Sequence, residues 1–303
     1  MRVASTQYHS TMNTALQNAQ VRLEKVMQQM ASAQRVELPS DDPIATVHLR
    51  RLGREEAALT QYRSNIAALN ERLSQSEARL DSMNADLLEM RDLLVWASDG
   101  TNTSEDVNAM VTSLTALRDS LLATANSRDD EGRFVFSGTA VDTATVTFNG
   151  AAAAGARYSF TGNTGTQAVM VGHGFSQVAN TTLDDVATFL NQIDQTIETL
   201  SASGVNVNDP AVRTQLQNSV GSLDTFMASV STRIARIGGT MNTLSTLDTT
   251  HANVSLSNKQ AALTLGQLDY ADAAVKFNGY SAALQATQKA YAKVSALSLF
   301  DVI

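Results

Sequence analysis

Met12, Leu16, Ala19, Leu23, Val26, Met30 and Ala33 recur at alternating spacings of 4 and 3 on an otherwise polar stretch. That unbroken period is narrower than the apolar face of a globular helix and fits a coiled-coil seam. It stops at Leu38-Pro39-Ser40-Asp41-Asp42-Pro43. Each proline drives the residue before it, Leu38 and Asp42, out of the helical region. Pro43 suits the first turn of a new helix, with Asp42 as its cap and both aspartates at its positive end. A longer seam follows: Leu52, Leu59, Ile66, Leu69, Leu73, Leu80, Met83, Leu87, Met90, Leu94 and Ala97 share one heptad register. A helix carrying it would run roughly 80 Å at 1.5 Å per residue. Asp99-Gly100 ends it, and Thr103 with Asp106 forms a near capping box for a third helix bearing Val107, Met110, Leu114, Leu117 and Leu121.

The pattern then changes. Gly132-Arg133-Phe134-Val135-Phe136-Ser137-Gly138 opens a region of short β-prone runs: Val146-Thr147-Phe148, Tyr158-Ser159-Phe160 and Ala168-Val169-Met170-Val171. Gly, Asn and Thr clusters separate them, as in about four to six strands around a thin core. Few seam positions fall there, so the helical core is expected to owe this region little. Helical spacing returns at Thr182, with Asp185 three residues on, and carries Val186, Phe189, Leu190, Ile193, Ile197 and Leu200. Asp209-Pro210 starts another long seam: Leu216, Leu223, Phe226, Val230, Ile237, Leu244, Leu247, Val254, Ala261, Leu265 and Leu268, with polar Ser219, Arg233, Thr240, His251 and Asn258 in its gaps. Gly238-Gly239 inside it should cost about 2 kcal/mol relative to two alanines, which points to close helix approach, with a hinge as the alternative. The last seam is Phe277, Tyr280, Leu284, Thr287, Tyr291, Val294 and Ser298, and Leu297 and Phe300 lie beside it in an apolar end.

Helices are therefore predicted near 5–36, 44–98, 104–127, 182–201, 210–266 and 271–299, with strands only between about 133 and 178. The two longest predicted helices match in length, as antiparallel partners would. The fold class is mainly α: a long antiparallel coiled-coil-like helical rod with a small inserted β-domain. Three parts follow: paired terminal helices (1–40 and 270–303), a helical rod (41–132 and 181–269) and a small β-rich outer part (133–180).

Composition narrows the function more than the fold. The 303 residues carry a formal charge of −8, and no Lys occurs between Lys25 and Lys259. An acidic chain without a basic stripe argues against nucleic acid as a partner. The absence of Cys removes disulfides, Cys-based zinc sites and thiol catalysis. No run approaches a membrane span, and the first residues lack the apolar core of a cleavable signal, so secretion without one is expected. His9, His48, His173 and His251 are scattered without ligand spacing. Gly172-His173-Gly174 and Gly162-Asn163-Thr164-Gly165 lack a P-loop lysine. Asp41-Asp42 and Asp129-Asp130-Glu131 lack the alternation of a calcium loop. Trp96, at a helix end beside Leu93 and Leu94, reads as core packing. No catalytic residue, cofactor site or metal site is expected, and the chain is not read as an enzyme.

The run Arg35-Val36-Glu37-Leu38-Pro39-Ser40-Asp41-Asp42-Pro43-Ile44-Ala45, after an N-terminal coiled-coil seam, resembles the signature of the bacterial flagellin superfamily. Within it, three segments are similar to the branch that joins hook to filament rather than to filament flagellin. The opening around Arg2-Val3-Ala4-Ser5-Thr6-Gln7 resembles an Arg-Ile-Ser-Thr-Gln start, although Val3-Ala4 replaces a single residue. Gly132–Gly138 resembles a Gly-Arg-Tyr-Ile-Phe-Ala-Gly segment. Leu268–Ala273 with Ser298–Ile303 resembles the tail of that branch, although Val302 stands where an aromatic is frequent. The resemblance covers about 1–136 and 182–303 and leaves most of the β region unmatched.

It implies a secreted structural protein of the flagellum that forms the junction between hook and filament and templates filament growth. The implied partners are further copies in a ring or helical layer, the first hook-associated protein on the hook side, flagellin on the filament side, an export chaperone and the flagellar type III apparatus. No membrane or nucleic acid is expected. Filament flagellin, or a type III secretion needle-tip or translocator protein, are the other long-helix readings. The expected assembly interface is Met12, Leu16, Leu23, Val26, Met30, Phe277, Tyr280, Leu284, Tyr291, Val294, Leu297 and Phe300. Pro39, Ser40, Asp41, Asp42 and Pro43 form the break between parts. A narrow seam gains about 1.5–3 kcal/mol per large side chain only when covered, so both ends are expected to order on assembly.

Overall fold

The computed structural model describes residues 2–300, with side chains at 7 and 9–293. Six helices and four short strands follow one another: α1 (Arg2–Ser32), α2 (Pro43–Ala97), α3 (Ser104–Ala125), β1 (Val146–Phe148), β2 (Tyr158–Phe160), β3 (Ala168–Gly172), β4 (Phe175–Val178), α4 (Val186–Leu200), α5 (Pro210–Gly266) and α6 (Tyr270–Phe300). The fold is mainly α with a small inserted β region. By packing, the chain divides into two compact units, Met1–Leu59 with Ala252–Ile303, and Thr60–His251.

In the unit Thr60–His251, α2 and α5 run antiparallel, tied by Arg91 to Asp224 (3.0 Å) and by Arg63 to Asp248 (2.8 Å). The α2 seam from Ile66 to Ala97 and the α5 seam from Leu216 to Leu244 are buried at the expected positions. The inner faces of α3 (Val107, Met110, Leu114, Leu121) and α4 (Val186, Phe189, Leu190, Ile193) close the same core, and Phe189 stacks on Phe226 at 4.7 Å. The Thr103–Asp106 capping box forms at the start of α3. Polar gaps in the α5 seam hold hydrogen bonds rather than apolar contacts. Ser219 meets Thr196 and Gln192 of α4, and Arg233 donates to the Thr182 carbonyl (2.7 Å) and pairs with Asp184 and Asp185.

The β region is two antiparallel hairpins, β1–β2 and β3–β4, and not one sheet. Asparagine side chains stand in for neighbouring strands. Asn126 accepts from the Val146 N–H and donates to its carbonyl (both 2.9 Å), and Asn191 does the same to Tyr158 (2.9 and 2.8 Å). Each closes an edge that would otherwise present bare backbone groups.

Several sequence expectations are corrected. Phe134-Val135-Phe136 is no strand; it holds one isolated bridge, Phe134 to Arg128, with single backbone bonds to Val141 and Ser127, and its side chains are buried. The helical core does not owe the middle region little: Phe136, Val146, Tyr158 and Val171 lie in one continuous core with the helices. α4 starts at Val186 rather than Thr182, because Thr182 bridges to Ser137 and Asp185 is committed to Arg233 and Ser229 instead of capping. α1 ends at Ser32, where Ala33 turns left-handed (φ 59°). Trp96 is not core but exposed. A Cβ at Gly239 would meet nothing within 4 Å and one at Gly238 only the tip of Glu77, so close approach inside the chain does not explain the glycine pair.

Candidate assembly interface

In the unit Met1–Leu59 with Ala252–Ile303, α1 and α6 pair antiparallel. Tyr270 donates its hydroxyl to the Met30 carbonyl (3.1 Å) near one end, and His9 meets Tyr291 edge-on (5.6 Å between ring centres) toward the other. The seams face each other but are unevenly covered. Val26 is buried with Leu268 and Ala273, and Met30, Phe277 and Tyr280 pack on this cluster. Met12, Leu16, Leu23, Leu284 and Tyr291 are only half-buried. Val294, Leu297 and Phe300 lie outside the described side chains. A two-helix pair offers each seam one partner, so it covers a stripe from one side and leaves the other open. The expectation that these ends order only on assembly meets a structure in which both are already helical and paired.

The chain between α1 and α2 is fixed from several directions. Arg35 N–H donates to the Gly266 carbonyl (2.8 Å), Leu268 N–H to the Ala33 carbonyl (3.1 Å), and Gln34 bridges Gln267. The connector thus pairs, as a one-bridge ribbon, with the link between α5 and α6. The Arg35 guanidinium donates to the Leu265 carbonyl (3.0 Å), one of the orphan acceptors in the last turn of α5, and pairs with Asp42 (3.1 Å).

Leu38-Pro39-Ser40-Asp41 closes a turn through Asp41 N–H to the Leu38 carbonyl (2.9 Å). The two aspartates divide the work. Asp42 caps α2 by accepting from Ala45 N–H (2.9 Å), with Pro43 at the first helical position. Asp41 organises the turn: it accepts from Glu37 and Leu38 N–H (3.2 and 3.0 Å) and pairs with Lys25 of α1 (2.5 Å). The Lys25 ammonium holds the Asp41 carboxyl below the usual carboxylate range, and the Ala45 N–H, then Arg35, hold Asp42 below it.

Further along α5 the buried stripe turns by one residue. Ser255, not Val254, is buried, and it donates to Glu56 (2.7 Å), which also holds Lys259 (3.0 Å). A hydroxyl that can reach a carboxylate displaces a valine that cannot, so the register read from apolar residues alone drifts there. Sequence reasoning also missed the part played by Arg35, Leu268 and Ala273. For Ala273 the signal was present, since it stands four residues before Phe277 in the spacing of the α6 seam, whereas Leu268 closes the α5 register in the sequence and covers Val26 in the structure. For Arg35 it was not, since its partners are a carbonyl 230 residues away and a cap.

Among the described residues no group of three or more His, Asp or Glu side chains is placed to hold a metal ion. Among the described residues no helix is long and apolar enough to cross a membrane. What the interface offers is packing, through paired apolar seams that each helix covers only in part.

Comparison with known proteins points the same way. Residues 3–141 match the bacterial flagellin N-terminal helical region. Over its whole length the chain is 26% identical to flagellar hook-associated protein 3 of Salmonella typhimurium, covering 99% of that protein. It is 34% identical to a structure assigned as a flagellar hook-associated protein from Vibrio parahaemolyticus, with a TM-score of 0.66 over 74% of this chain and 99% of that one. The hook-associated protein-3 structure from Legionella pneumophila, 14% identical, shares the fold, with a TM-score of 0.63 over 71% of this chain and 98% of that one. The chain belongs to the flagellar hook-associated proteins of the bacterial flagellin family.

Proposed function

We propose that this chain is a structural subunit of the junction between flagellar hook and filament, and that it templates filament growth. The observation that carries this is the α1–α6 seam: Met12, Leu16, Leu23, Leu284 and Tyr291 stay half-covered in the single chain. Each large side chain there gains about 1.5–3 kcal/mol on full burial, and further helices from neighbouring subunits supply the cover. The two terminal stretches, 1–40 and 270–303, serve as the assembly domain, and 41–132 with 181–269 serve as a helical rod. The part at 133–180 faces outward, and Pro39 to Pro43 form the break between the first two. Copies add head to tail in a ring or helical layer, through a heterologous contact rather than a self-complementary one.

The first hook-associated protein binds on the hook side and flagellin on the filament side. The subunit travels through the flagellar type III apparatus with an export chaperone. The test is deletion of the coding sequence: motility should be lost and unpolymerised flagellin should leak into the medium. Normal filaments in the deletion strain would refute the junction reading. Long filaments grown from the purified chain alone would assign it to the filament instead.

A further inference from the structure

Charge is distributed unequally between the two units. Thr60–His251 holds 21 Asp and Glu against 11 Arg and no Lys, a formal −10, whereas the remaining residues hold 11 basic against 9 acidic. Helix α2 concentrates both signs on exposed faces. Near its start, Ile44, Val47, Arg51 and Arg54 share one stripe with Arg50 at its edge; Ile44 is 73% and Val47 66% exposed. Near its end, Asp81, Leu88, Glu89, Asp92, Val95 and Trp96 share another, all exposed, with Trp96 at 46%. Spacings of 3, 4 and 7 put each set on one side of a helix.

Among the described residues, Arg50, Arg51, Arg54, Asp81, Glu89 and Asp92 are in no ion pair, while the neighbouring Arg91 is engaged with Asp224. Solvated charge needs no explanation by itself. Three bare arginines beside two exposed aliphatics, and three bare carboxylates beside an exposed Trp, Leu and Val, are two surfaces that complement each other in both charge and apolar content. Arg and Trp are also the side chains that dominate interface energies, and they attract each other directly.

We propose that the basic stripe of α2 in one copy docks on the acidic, Trp96-bearing stripe of α2 in a second copy, as the heterologous contact between neighbouring subunits. Opposite charge steers the encounter and rejects the wrong pairing of two like stripes. Because the two surfaces differ, the contact leaves one free stripe at each end and propagates. This inference rests on the junction reading and names the surfaces it uses.

The test is charge reversal in a strain lacking the gene. Arg50→Glu/Arg51→Glu/Arg54→Glu and Asp81→Lys/Glu89→Lys/Asp92→Lys should each reduce swarming to the level of the deletion strain. Both chains should melt within about 2 °C of the unaltered chain, since exposed substitutions perturb folding little. A chain carrying all six substitutions faces Glu with Lys again and should restore swarming. If either triple variant swarms normally, or if the six-fold variant stays defective, the proposal is overturned; the latter outcome assigns the stripes to a different partner. A second measurement does not depend on reversal. The natural chain has no Cys, so Arg54→Cys/Asp92→Cys treated with a short bismaleimide on isolated flagella should give a ladder in multiples of 32.3 kDa. Each single-Cys variant should give none. A double variant without the ladder overturns the proposal. Failure of the unaltered gene to restore swarming would instead strike the junction reading itself.

Discussion

Asp194 is a carboxylate in the core of a helix whose neighbours are Ile193, Thr196 and Ile197, and its side chain is 1% exposed. It is compensated from two directions: Arg118 of α3 at 3.1 Å, and Arg157, just before β2, at 3.3 Å. The Gly155 N–H adds a third donor at 3.4 Å. Replacing Asp194 by Ala removes the one buried anion that both guanidiniums share. Breaking a buried pair from one side costs about 3–5 kcal/mol. Arg118 keeps Asp119 (2.9 Å) and Arg157 keeps Glu198 (3.6 Å), both exposed partners, so the low end of that range applies. For a unit of this size each kcal/mol lowers Tm by about 2–4 °C, so a fall of about 6–12 °C is expected.

The assay is thermal melting followed by far-UV circular dichroism, with Glu198→Gln as the control. That exposed pair contributes about 0–1 kcal/mol and should shift Tm by no more than about 4 °C. If Asp194→Ala melts with the control, the triad does not fasten β2 to α3 and α4, and the argument from burial is wrong.

Three further outcomes are expected. Leu284→Asp, in the half-covered seam, should leave melting of the unit Thr60–His251 unchanged and abolish swarming, whereas Leu87→Ala in the fully buried seam should cost about 2–5 kcal/mol in the same melt. Equal destabilisation by the two would show that the terminal seam is already a folding core. Replacing 133–178 by a Gly/Ser linker should lower the melting temperature sharply, because Phe136, Val146, Tyr158 and Val171 fill the helical core; an unchanged melt would refute this. The lowered carboxyls of Asp41 and Asp42 stabilise the fold above the ordinary carboxylate range, and that contribution is lost as pH falls through their depressed values. Pepsin cleavage around Pro39–Pro43 should therefore stay slow at pH 4 and accelerate well below it, and Lys25→Met should move the onset to higher pH.

What the sequence determined by itself is whatever depends on residues a few positions apart. The seams of α2 and α5 in the unit Thr60–His251, the capping box of α3, the turn at Pro39 and the start at Pro43 are set by local sterics, by caps and by a period of 3.5. The family signature around Pro39–Pro43 was legible for the same reason, since a double-proline break is a local instruction. Tertiary structure alone decided what depends on partners far along the chain. Thr182 does not begin α4 because Ser137 and Arg233 claim its backbone. Asp194 is buried because Arg118 and Arg157 arrive from two other elements. Ser255 replaces Val254 in the seam because Glu56 lies opposite it. Trp96, which its apolar neighbours Leu93 and Leu94 suggest for the core, faces solvent, and the buried residue beside it is Ala97, the seam position of the heptad register. Hydrophobic period tells a helix that it has an inner face; the neighbours decide where that face ends and which polar groups are admitted to it.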